Sequence, residues 1–219
     1  PLVVALVACV EPTGRDEGVD TGDPIEQIDP CRQVNQYEFS PIEDFELAIG
    51  RMWWISTDGT GVVKPLRGRD PEASIINGGR CGTSLYALNL RATGMEIYGG
   101  AFGVNFFPEA FDASDFDGIS LWAKKETFPG STLFVAVSEK HTDQGNGSLY
   151  FENGEPYCEE LPLEPENKCD RFGAGIGLDT SWRFYTIPFE SMTQRGFGKE
   201  APYLDTSTII GLNIAFETG

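Results

Sequence analysis

Short runs in which apolar and polar residues alternate fill the chain from residue 37 onward. Side chains two positions apart then share a face, which is the periodicity of a β-strand. Turn dipeptides of the Asp-Gly and Asn-Gly type separate the runs, and no stretch keeps a 3.6-residue apolar period long enough for a substantial helix. The predicted strands are Pro41–Leu47, Ser84–Leu90, Met95–Tyr98, Ala101–Phe107, Gly118–Lys124, Ser131–Ser138, Leu149–Phe151, Trp182–Pro188 and Ile209–Phe216. Many short strands with regular turns predict an all-β protein, an antiparallel β-sandwich or barrel.

Several of these strands have one aliphatic face and one face of mixed composition. In GISLWAK, Ile119 and Leu121 share the aliphatic face, whereas Ser120 and Trp122 share the other. In STLFVAVS, Phe134 falls on the face opposite the aliphatic residues. A face that only contacts solvent does not need large aromatic side chains. The mixed face is therefore the candidate binding surface.

The mixed face carries residue types that bind sugars. Aromatic rings stack on the apolar C–H faces of sugar rings, while amides and hydroxyls hydrogen-bond to the hydroxyl edges. The candidate ligand-binding residues are Trp53, Tyr98, Asn105, Trp122 and Phe134. Trp53 and its neighbour Trp54 belong to a separate segment, from which one of them can reach the same face. The alternative is that each aromatic side chain packs under a loop or caps the core.

The first ten residues, PLVVALVACV, carry no charge. A run of this length is too short for a bilayer, which needs about 20 residues, but it suits the apolar part of a secretory signal. Its end, Leu6-Val7-Ala8-Cys9, resembles the bacterial lipobox, a motif that is cleaved before the cysteine, which is then acylated. The alternative is an ordinary buried first strand. The lipobox interpretation predicts a lipid-anchored protein of the bacterial cell surface or outer membrane, or a secreted one.

This interpretation divides the chain into three parts. Residues 1–8 are a truncated lipoprotein signal peptide, and residues 9–36 are a flexible tether after a lipidated Cys9. Between residues 10 and 36 there are seven acidic and two basic side chains, with interspersed proline, as expected of a solvated segment. Residues 37–219 form the β-sandwich domain.

The cysteines that remain after Cys9 are Cys31, Cys81, Cys158 and Cys169. An even number in an exported chain predicts two disulfides, and four cysteines allow three pairings. Cys158 and Cys169 bracket a short loop, so we expect them to pair, which leaves Cys31 with Cys81 by default. A zinc site is the alternative, but the chain has no C-x-x-C motif and one histidine.

The charge and the missing motifs argue against several functions. A net charge of −18 disfavours a nucleic-acid backbone and adhesion to anionic lipid, so the anchor is the expected membrane contact. The sequence contains no G-x-S-x-G, no H-E-x-x-H and no phosphate-binding loop. His141 precedes Asp143 in a turn-rich stretch, and we expect an exposed loop histidine rather than a catalytic His–Asp couple.

The segment SPIEDFELAIG concentrates carboxylates on one predicted strand. Glu43, Asp44 and Glu46, beside backbone carbonyls, have the oxygen ligands that Ca²⁺ prefers. The sequence therefore offers a candidate structural calcium site. The alternative is an exposed acidic strand.

Three segments together resemble one family: IEDFE, DASDFDGISLWAKK and CDRFGAGIGLDTSWRFYTIPFESMTQRGFG. They are similar to carbohydrate-binding, galactose-binding-domain-like jelly rolls of bacterial surface and secreted proteins, of the family-11 type. The resemblance spans roughly residues 37–219. It implies a β-sandwich whose concave sheet binds β-glucan-like or other polysaccharide chains, and a structural calcium to which Glu43, Asp44 or Glu46 contributes. Family members end on a strand of the type W-I-D-D-V, which does not follow NIAFETG here, so we expect the last strand to be missing.

The sequence thus predicts a non-catalytic, lipid-anchored domain that binds polysaccharide. A structural or adhesive surface domain without a sugar site is the first alternative. A polysaccharide lyase or hydrolase built on a jelly roll is the second, although no pair of carboxylates stands out for glycoside hydrolysis.

Overall fold

The computed structural model describes residues 2–10, 39–40, 42, 53–64, 75–77, 86–96, 99–106, 109–125, 132–143, 157–159 and 165–216. The strands in these parts are β1 (Leu2–Val10), β2 (Phe39–Ser40), β3 (Trp53–Thr57), β4 (Val62–Lys64), β5 (Ile75–Asn77), β6 (Tyr86–Thr93), β7 (Gly100–Asn105), β8 (Gly118–Lys125), β9 (Thr132–Ser138), β10 (Phe172–Gly177), β11 (Arg183–Pro188) and β12 (Gly211–Phe216). The helices described are single 3-10 turns at Pro165–Asn167, Phe189–Ser191 and Thr206–Thr208. No helix in these ranges is long and apolar enough to span a membrane.

The strands form two antiparallel sheets. The seven-stranded sheet has the order β11-β8-β1-β6-β4, with β2 paired to β1 and β5 paired to β6. The five-stranded sheet has the order β10-β9-β12-β7-β3. One buried cluster contains side chains from both sheets, so the sheets pack face to face. The predicted all-β fold, an antiparallel β-sandwich, is confirmed.

The core is made of the aliphatic faces that alternation predicts. Val104, Leu121, Val135, Val137 and Ile214 are completely buried and come from β7, β8, β9 and β12. Burial of one such side chain stabilises the fold by roughly 1.5–3 kcal/mol. The aliphatic faces of these four strands therefore hold the two sheets together.

Not every strand prediction agrees with the structure. Met95 and Glu96 lie outside any strand, so the strand predicted at Met95–Tyr98 is wrong in its first half. Residues 53–57 form β3 at the edge of the five-stranded sheet, although no strand was predicted there. The predicted strand Leu149–Phe151, and Pro41–Leu47 apart from Ile42, lie outside the described residues.

The N-terminal apolar run is a strand of the sandwich. β1 pairs with β8 from Leu2 to Val10, with an irregularity between Val7 and Cys9, and its first residues pair with β6 on the other side. β1 therefore lies within the seven-stranded sheet, and the predicted division into residues 1–8, 9–36 and 37–219 stays a prediction. A nine-residue uncharged segment has the right length for a secretory signal and for a central strand. Lipid attachment at Cys9 is a separate matter and stays a prediction.

Cys158 and Cys169 form a disulfide with a Cα–Cα distance of 5.0 Å. The predicted pairing of these two cysteines is confirmed. Cys31 and Cys81 lie outside the described residues, as does most of the predicted tether.

Candidate ligand-binding face

The five-stranded sheet has a second face, turned away from the core, which we call the outer face. Strand register aligns Trp54 on β3 with Gly103 on β7, Asn213 on β12, Ala136 on β9 and Gly173 on β10. The next row, in the same strand order, consists of Ser56, Ala101, Ala215, Phe134 and Gly175. Most of these positions are Gly or Ala. The outer face therefore has a central strip of mostly small residues, which we call the floor, with the larger side chains of Trp54 and Phe134 on either side of it.

Trp54 forms one side of this floor. A Cβ atom on Gly103 would lie 2.3 Å from Cζ2 and 2.6 Å from Cε2 of Trp54, so the indole lies directly against the glycine backbone. The indole Nε1 donates a hydrogen bond of 3.2 Å to Oδ1 of Asn105, which lies on the same face. Both contacts hold the half-buried ring on the sheet. The edge strand β3 thus presents a fixed aromatic surface.

Phe134 and Arg195 form the other side. A Cβ atom on Gly173 would lie 2.6 Å from Cε1 and Cζ of Phe134, so this ring also covers a glycine. The guanidinium carbon of Arg195 lies 3.5 Å from the ring centroid, a cation–π contact. Since the Arg195 side chain is exposed, its guanidinium covers the ring from the solvent side.

Gln194 fixes the backbone of the loop that carries Arg195. Its Nε2 donates to the carbonyl oxygens of Asp170 and Lys199 at 2.6 and 3.1 Å. Its Oε1 accepts from the backbone N–H of Ala201 at 2.8 Å. One amide side chain thus ties together three points of the backbone around residues 193–200, which we call the Arg195 loop.

Asp170 and the Cys158–Cys169 disulfide also hold the Arg195 loop in place. The buried Asp170 carboxylate accepts a 2.7 Å hydrogen bond from the backbone N–H of Gly196. Cys169, one half of the disulfide, forms a β-bridge with Lys199. The Arg195 loop is therefore anchored on both sides of Arg195.

A second arginine, Arg171, directly precedes β10 and contacts the last residue of β9. The Nε of Arg171 donates a 2.7 Å hydrogen bond to Oγ of Ser138, an outer-face residue. Ser138 is aligned with Gly211 on β12, which in turn is aligned with Asn105 on β7. Guanidinium, hydroxyl and amide groups therefore follow one another along this row.

Of the five predicted ligand-binding residues, the structure brings Asn105 and Phe134 to the outer face. Trp53 is 5% exposed and packs in the core against Phe102, with ring centroids 5.6 Å apart. Trp53 is therefore corrected to a core residue, and its neighbour Trp54 faces outward. One strand position turns the side chain to the opposite face of the sheet.

Trp122 belongs to the other sheet and is buried. It is 1% exposed on β8 and packs against Phe184, its cross-strand neighbour on β11, at 5.4 Å between ring centroids. The prediction that it joins Phe134 on one open face is wrong, because alternation does not tell which sheet a strand enters. Tyr98 lies outside the described residues.

The predicted calcium ligands Glu43, Asp44 and Glu46 lie outside the described residues. Within the described ranges there is no group of three or more His, Cys, Asp or Glu side chains able to hold a metal ion. The calcium site stays a prediction.

The predicted ligand-binding residues include Trp53 rather than Trp54 of this pair, and they include neither Arg195 nor the covered glycines. One signal was available: FGAGIG has glycine at every second position, which puts Gly173, Gly175 and Gly177 on one face of a strand. A strand face without side chains leaves room for a neighbouring ring or a ligand. No local pattern marks Arg195, which belongs to a loop.

His141 lies in a cluster at the end of β9. Its Nδ1 is 3.0 Å from Oε2 of the fully buried Glu139, and its ring contacts the rings of Tyr157 and Tyr203 edge-on. Desolvation raises the pKa of Glu139 from 4.5 to about 7. The expectation of an exposed loop histidine is wrong, because the side chain is half-buried.

The fold and the outer face define a β-sandwich with one small-residue sheet face flanked by aromatic side chains. No protein-family model and no curated protein matches the chain. Among solved structures, it is similar to the family 11 carbohydrate-binding module of the cellulosomal cellulase Lic26A-Cel5E of Clostridium thermocellum. The identity is 16%, the TM-score is 0.47, and the match covers 81% of this chain and 84% of that one. A likeness of this degree carries no argument about the ligand.

Proposed function

We propose that the protein is a non-catalytic carbohydrate-binding domain and that the outer face of the five-stranded sheet binds a polysaccharide. The observation that carries the proposal is the pair of fixed groups on either side of a Gly- and Ala-rich floor: Trp54 on β3 and the Arg195–Phe134 stack on β9. Three strand spacings separate β3 from β9, which is about 14 Å at ~4.8 Å per spacing. An extended sugar chain fits between groups spaced in this way.

The chemistry of this face suits a sugar. The indole of Trp54 offers a surface for C–H faces, and the exposed Asn105 amide and Ser56 hydroxyl offer hydrogen bonds to sugar hydroxyls. The small floor residues that are not fully buried, Ala101, Ala215 and Gly175, let a chain approach the backbone closely. Trp54 and the Arg195 loop are held by contacts within the protein, so binding does not have to order them.

A binding role is proposed rather than hydrolysis because of the groups at these positions. Glycoside hydrolysis generally uses two carboxylates on either side of the bond. The outer-face positions of the five described strands carry aromatic, amide, hydroxyl and small side chains instead. Release of reducing sugar from any polysaccharide in a panel would overturn this part of the proposal.

The test compares the migration of the wild type and of the Trp54→Ala variant in native gels, each of which contains one polysaccharide of a panel. We expect the wild type to be retarded by at least one of them and the variant to bind it roughly tenfold more weakly or worse, a loss of about 1.4 kcal/mol. Trp182→Ala is the matched control, since Trp182 is half-buried beside Lys124 at the other sheet. No retention of the wild type on any polysaccharide would sink the proposal and favour a structural or adhesive role.

Anchoring at the bacterial cell surface through a lipidated Cys9 is also proposed, on the strength of the Leu6-Val7-Ala8-Cys9 motif. Mass spectrometry of the native protein should find a mature chain that begins at an acylated Cys9. A native chain that keeps Leu2–Ala8 would contradict this proposal and would show that the mature protein retains β1.

Calcium binding through Glu43, Asp44 and Glu46 is proposed on the sequence pattern. We expect a chelator to lower the thermal unfolding midpoint, and added Ca²⁺ but not Mg²⁺ to restore it. An unfolding midpoint that is unchanged by the chelator would contradict calcium binding.

A further inference from the structure

The most exposed large apolar side chain in the described part of the chain is Tyr203, which is 57% exposed. Two anchored residues flank it. Ala201 is buried and its backbone N–H donates to Oε1 of Gln194. The side chain of Asp205 caps the 3-10 turn at Thr206–Thr208. A large aromatic side chain on a segment held at both ends is therefore left open to solvent.

The ring of Tyr203 is held in place by His141. The two rings meet edge-on, with their centroids 5.7 Å apart. His141 also contacts Tyr157 edge-on at 5.2 Å, and its Nδ1 lies 3.0 Å from Oε2 of the fully buried Glu139. His141 is thus fixed by neighbours within the protein, and the exposed ring is fixed through it. A ligand that stacks on Tyr203 does not have to order it first.

Polar groups are gathered beside the exposed ring. The ammonium of Lys140, the residue before His141, lies 2.5 Å from Oδ2 of Asp205. The hydrogen bond to Asp205 is the main cause of the raised pKa of Lys140, and Tyr203 is close enough to add to it. Oδ1 of Asp205 accepts hydrogen bonds from the backbone N–H and the exposed hydroxyl of Ser207, at 3.1 and 2.6 Å. An ammonium, a carboxylate and a hydroxyl therefore lie together near one aromatic ring.

We propose that Tyr203, Lys140, Asp205 and Ser207 form a second binding site, which takes a neutral sugar of a polysaccharide chain. This inference rests on the proposed function, because it assigns the same class of ligand to a second surface. We call these four residues the Tyr203 site.

The donors and acceptors of the Tyr203 site match sugar hydroxyls. An ammonium has three N–H donors, so two remain on Lys140 after its hydrogen bond to Asp205. The lone pairs of the Ser207 hydroxyl and the remaining lone pair of the Asp205 carboxylate accept hydrogen bonds. Neighbouring hydroxyls of one sugar therefore find a donor and an acceptor side by side, while the Tyr203 ring offers a surface for the C–H face.

The charges of the Tyr203 site favour a neutral ligand. Lys140 and Asp205 form an ion pair, so these two charges cancel. The whole protein has a net charge of −18, which acts against an anionic chain. Within the four residues of the site there is no excess cation to offset that repulsion.

The Tyr203 site lies beyond one end of β9, near the outer face. Phe134 and Ser138 are outer-face residues of β9, and the four steps between them span about 13 Å. Lys140 follows Ser138 by two residues. A single long chain can therefore contact both sites. Once one site is occupied, the second contact is intramolecular, which strengthens binding of a long chain.

The experiment uses the full chain and the polysaccharide of the panel that retards the wild type most strongly. Affinities are obtained from native gels over a range of polysaccharide concentrations. We expect Tyr203→Ala to weaken binding at least threefold. We also expect the double variant with Trp54→Ala to bind at least threefold more weakly than Trp54→Ala alone, because the Tyr203 site provides part of the binding that remains.

Two further variants separate the ring from its polar neighbours. Tyr203→Phe keeps the ring and should bind within twofold of the wild type. Lys140→Met removes the donors and leaves the ring, and we expect a loss of at least threefold from it even if Tyr203→Ala is poorly folded. Trp182→Ala is the control, since it removes a half-buried ring beside Lys124 at the other sheet and should bind like the wild type.

Acetylation of lysines, followed by mass spectrometry, tests direct contact. Bound polysaccharide should slow the acetylation of Lys140 at least threefold, because the sugar covers its ammonium. Acetylation of Lys124, which lies on β8 in the other sheet, should keep its rate. A residue that only supports the fold would not be protected in this way.

The outcomes separate this inference from the proposed function. Binding of no polysaccharide by the wild type overturns the proposed function and this inference with it. Wild-type binding that Trp54→Ala weakens, but neither Tyr203→Ala nor Lys140→Met weakens, overturns this inference alone. The inference also fails if Lys140 is acetylated at the same rate with and without polysaccharide, or if Trp182→Ala weakens binding as much as Tyr203→Ala does.

Discussion

The indole of Trp54 occupies the space that a side chain at Gly103 would fill. A Cβ atom at residue 103 would lie 2.3 Å from Cζ2 of Trp54 and 2.6 Å from the carbonyl oxygen of Leu212, both far inside van der Waals contact. Gly103 and Trp54 are directly aligned on neighbouring strands. The orientation of the aromatic surface therefore depends on a glycine that no ligand has to touch.

Gly103→Ala should weaken polysaccharide binding about as much as Trp54→Ala does, because the methyl group displaces the indole. It should also lower the free energy of unfolding by roughly 1–3 kcal/mol, the usual cost of overpacking. Gly177→Ala is the control for unfolding, since a Cβ atom there meets nothing within 4 Å. Retardation in native polysaccharide gels and urea unfolding measure the two effects, and full binding by the Gly103 variant would contradict the role of the contact.

Replacement of both Cys158 and Cys169 by Ser should lower the free energy of unfolding by about 3 kcal/mol, as expected for a short closed loop. Because Cys169 pairs with Lys199 in the Arg195 loop, retardation in native polysaccharide gels should also decrease. Urea unfolding and these gels measure the two losses. Adding a reductant to the double variant shows any contribution of the remaining cysteines to stability. An unfolding curve of the double variant equal to that of the wild type would contradict the prediction.

Glu139→Gln should stabilise the protein relative to the wild type as the pH rises. The pKa of the buried Glu139 is about 7 in the fold, above its ordinary 4.5, so the folded state holds this proton more tightly than the unfolded state. The wild type then loses stability between about pH 4.5 and pH 7, by roughly 3 kcal/mol in total, and loses no more above it. The measurement is the difference in unfolding free energy between variant and wild type at pH 4.5, 6 and 8. A difference that does not change with pH would contradict it.

Leu6→Pro should strongly destabilise the folded chain if the mature protein retains β1. Leu6 is aligned with Leu121 in the middle of the β1–β8 pairing, and proline cannot donate the hydrogen bond of a central strand. Leu6→Val keeps the backbone N–H and should unfold close to the wild type. Equal thermal midpoints of the Pro and Val variants would show that β1 does not contribute to the stability of the sandwich.

Local alternation determined much of this protein. Leu121, Val135 and Ile214 are core residues because the side-chain period of a strand is two and one face of each strand is aliphatic. The all-β class followed from the same pattern, and the Cys158–Cys169 disulfide followed from its short loop. These features depend on residues that are neighbours in the sequence, so the sequence was sufficient to predict them.

The candidate site was decided by tertiary structure. Trp122 and Phe134 have similar local patterns, yet they lie in different sheets because long-range strand pairing decides which sheet a strand enters. The apolar run that resembles a signal has the length of a strand as well, and pairing with β6 and β8 places it in the seven-stranded sheet. Arg195 meets Phe134 only because Gln194 and Asp170 fix a distant loop above β9. Local periodicity states which face a side chain takes, whereas contacts between distant segments determine which faces and loops form a site.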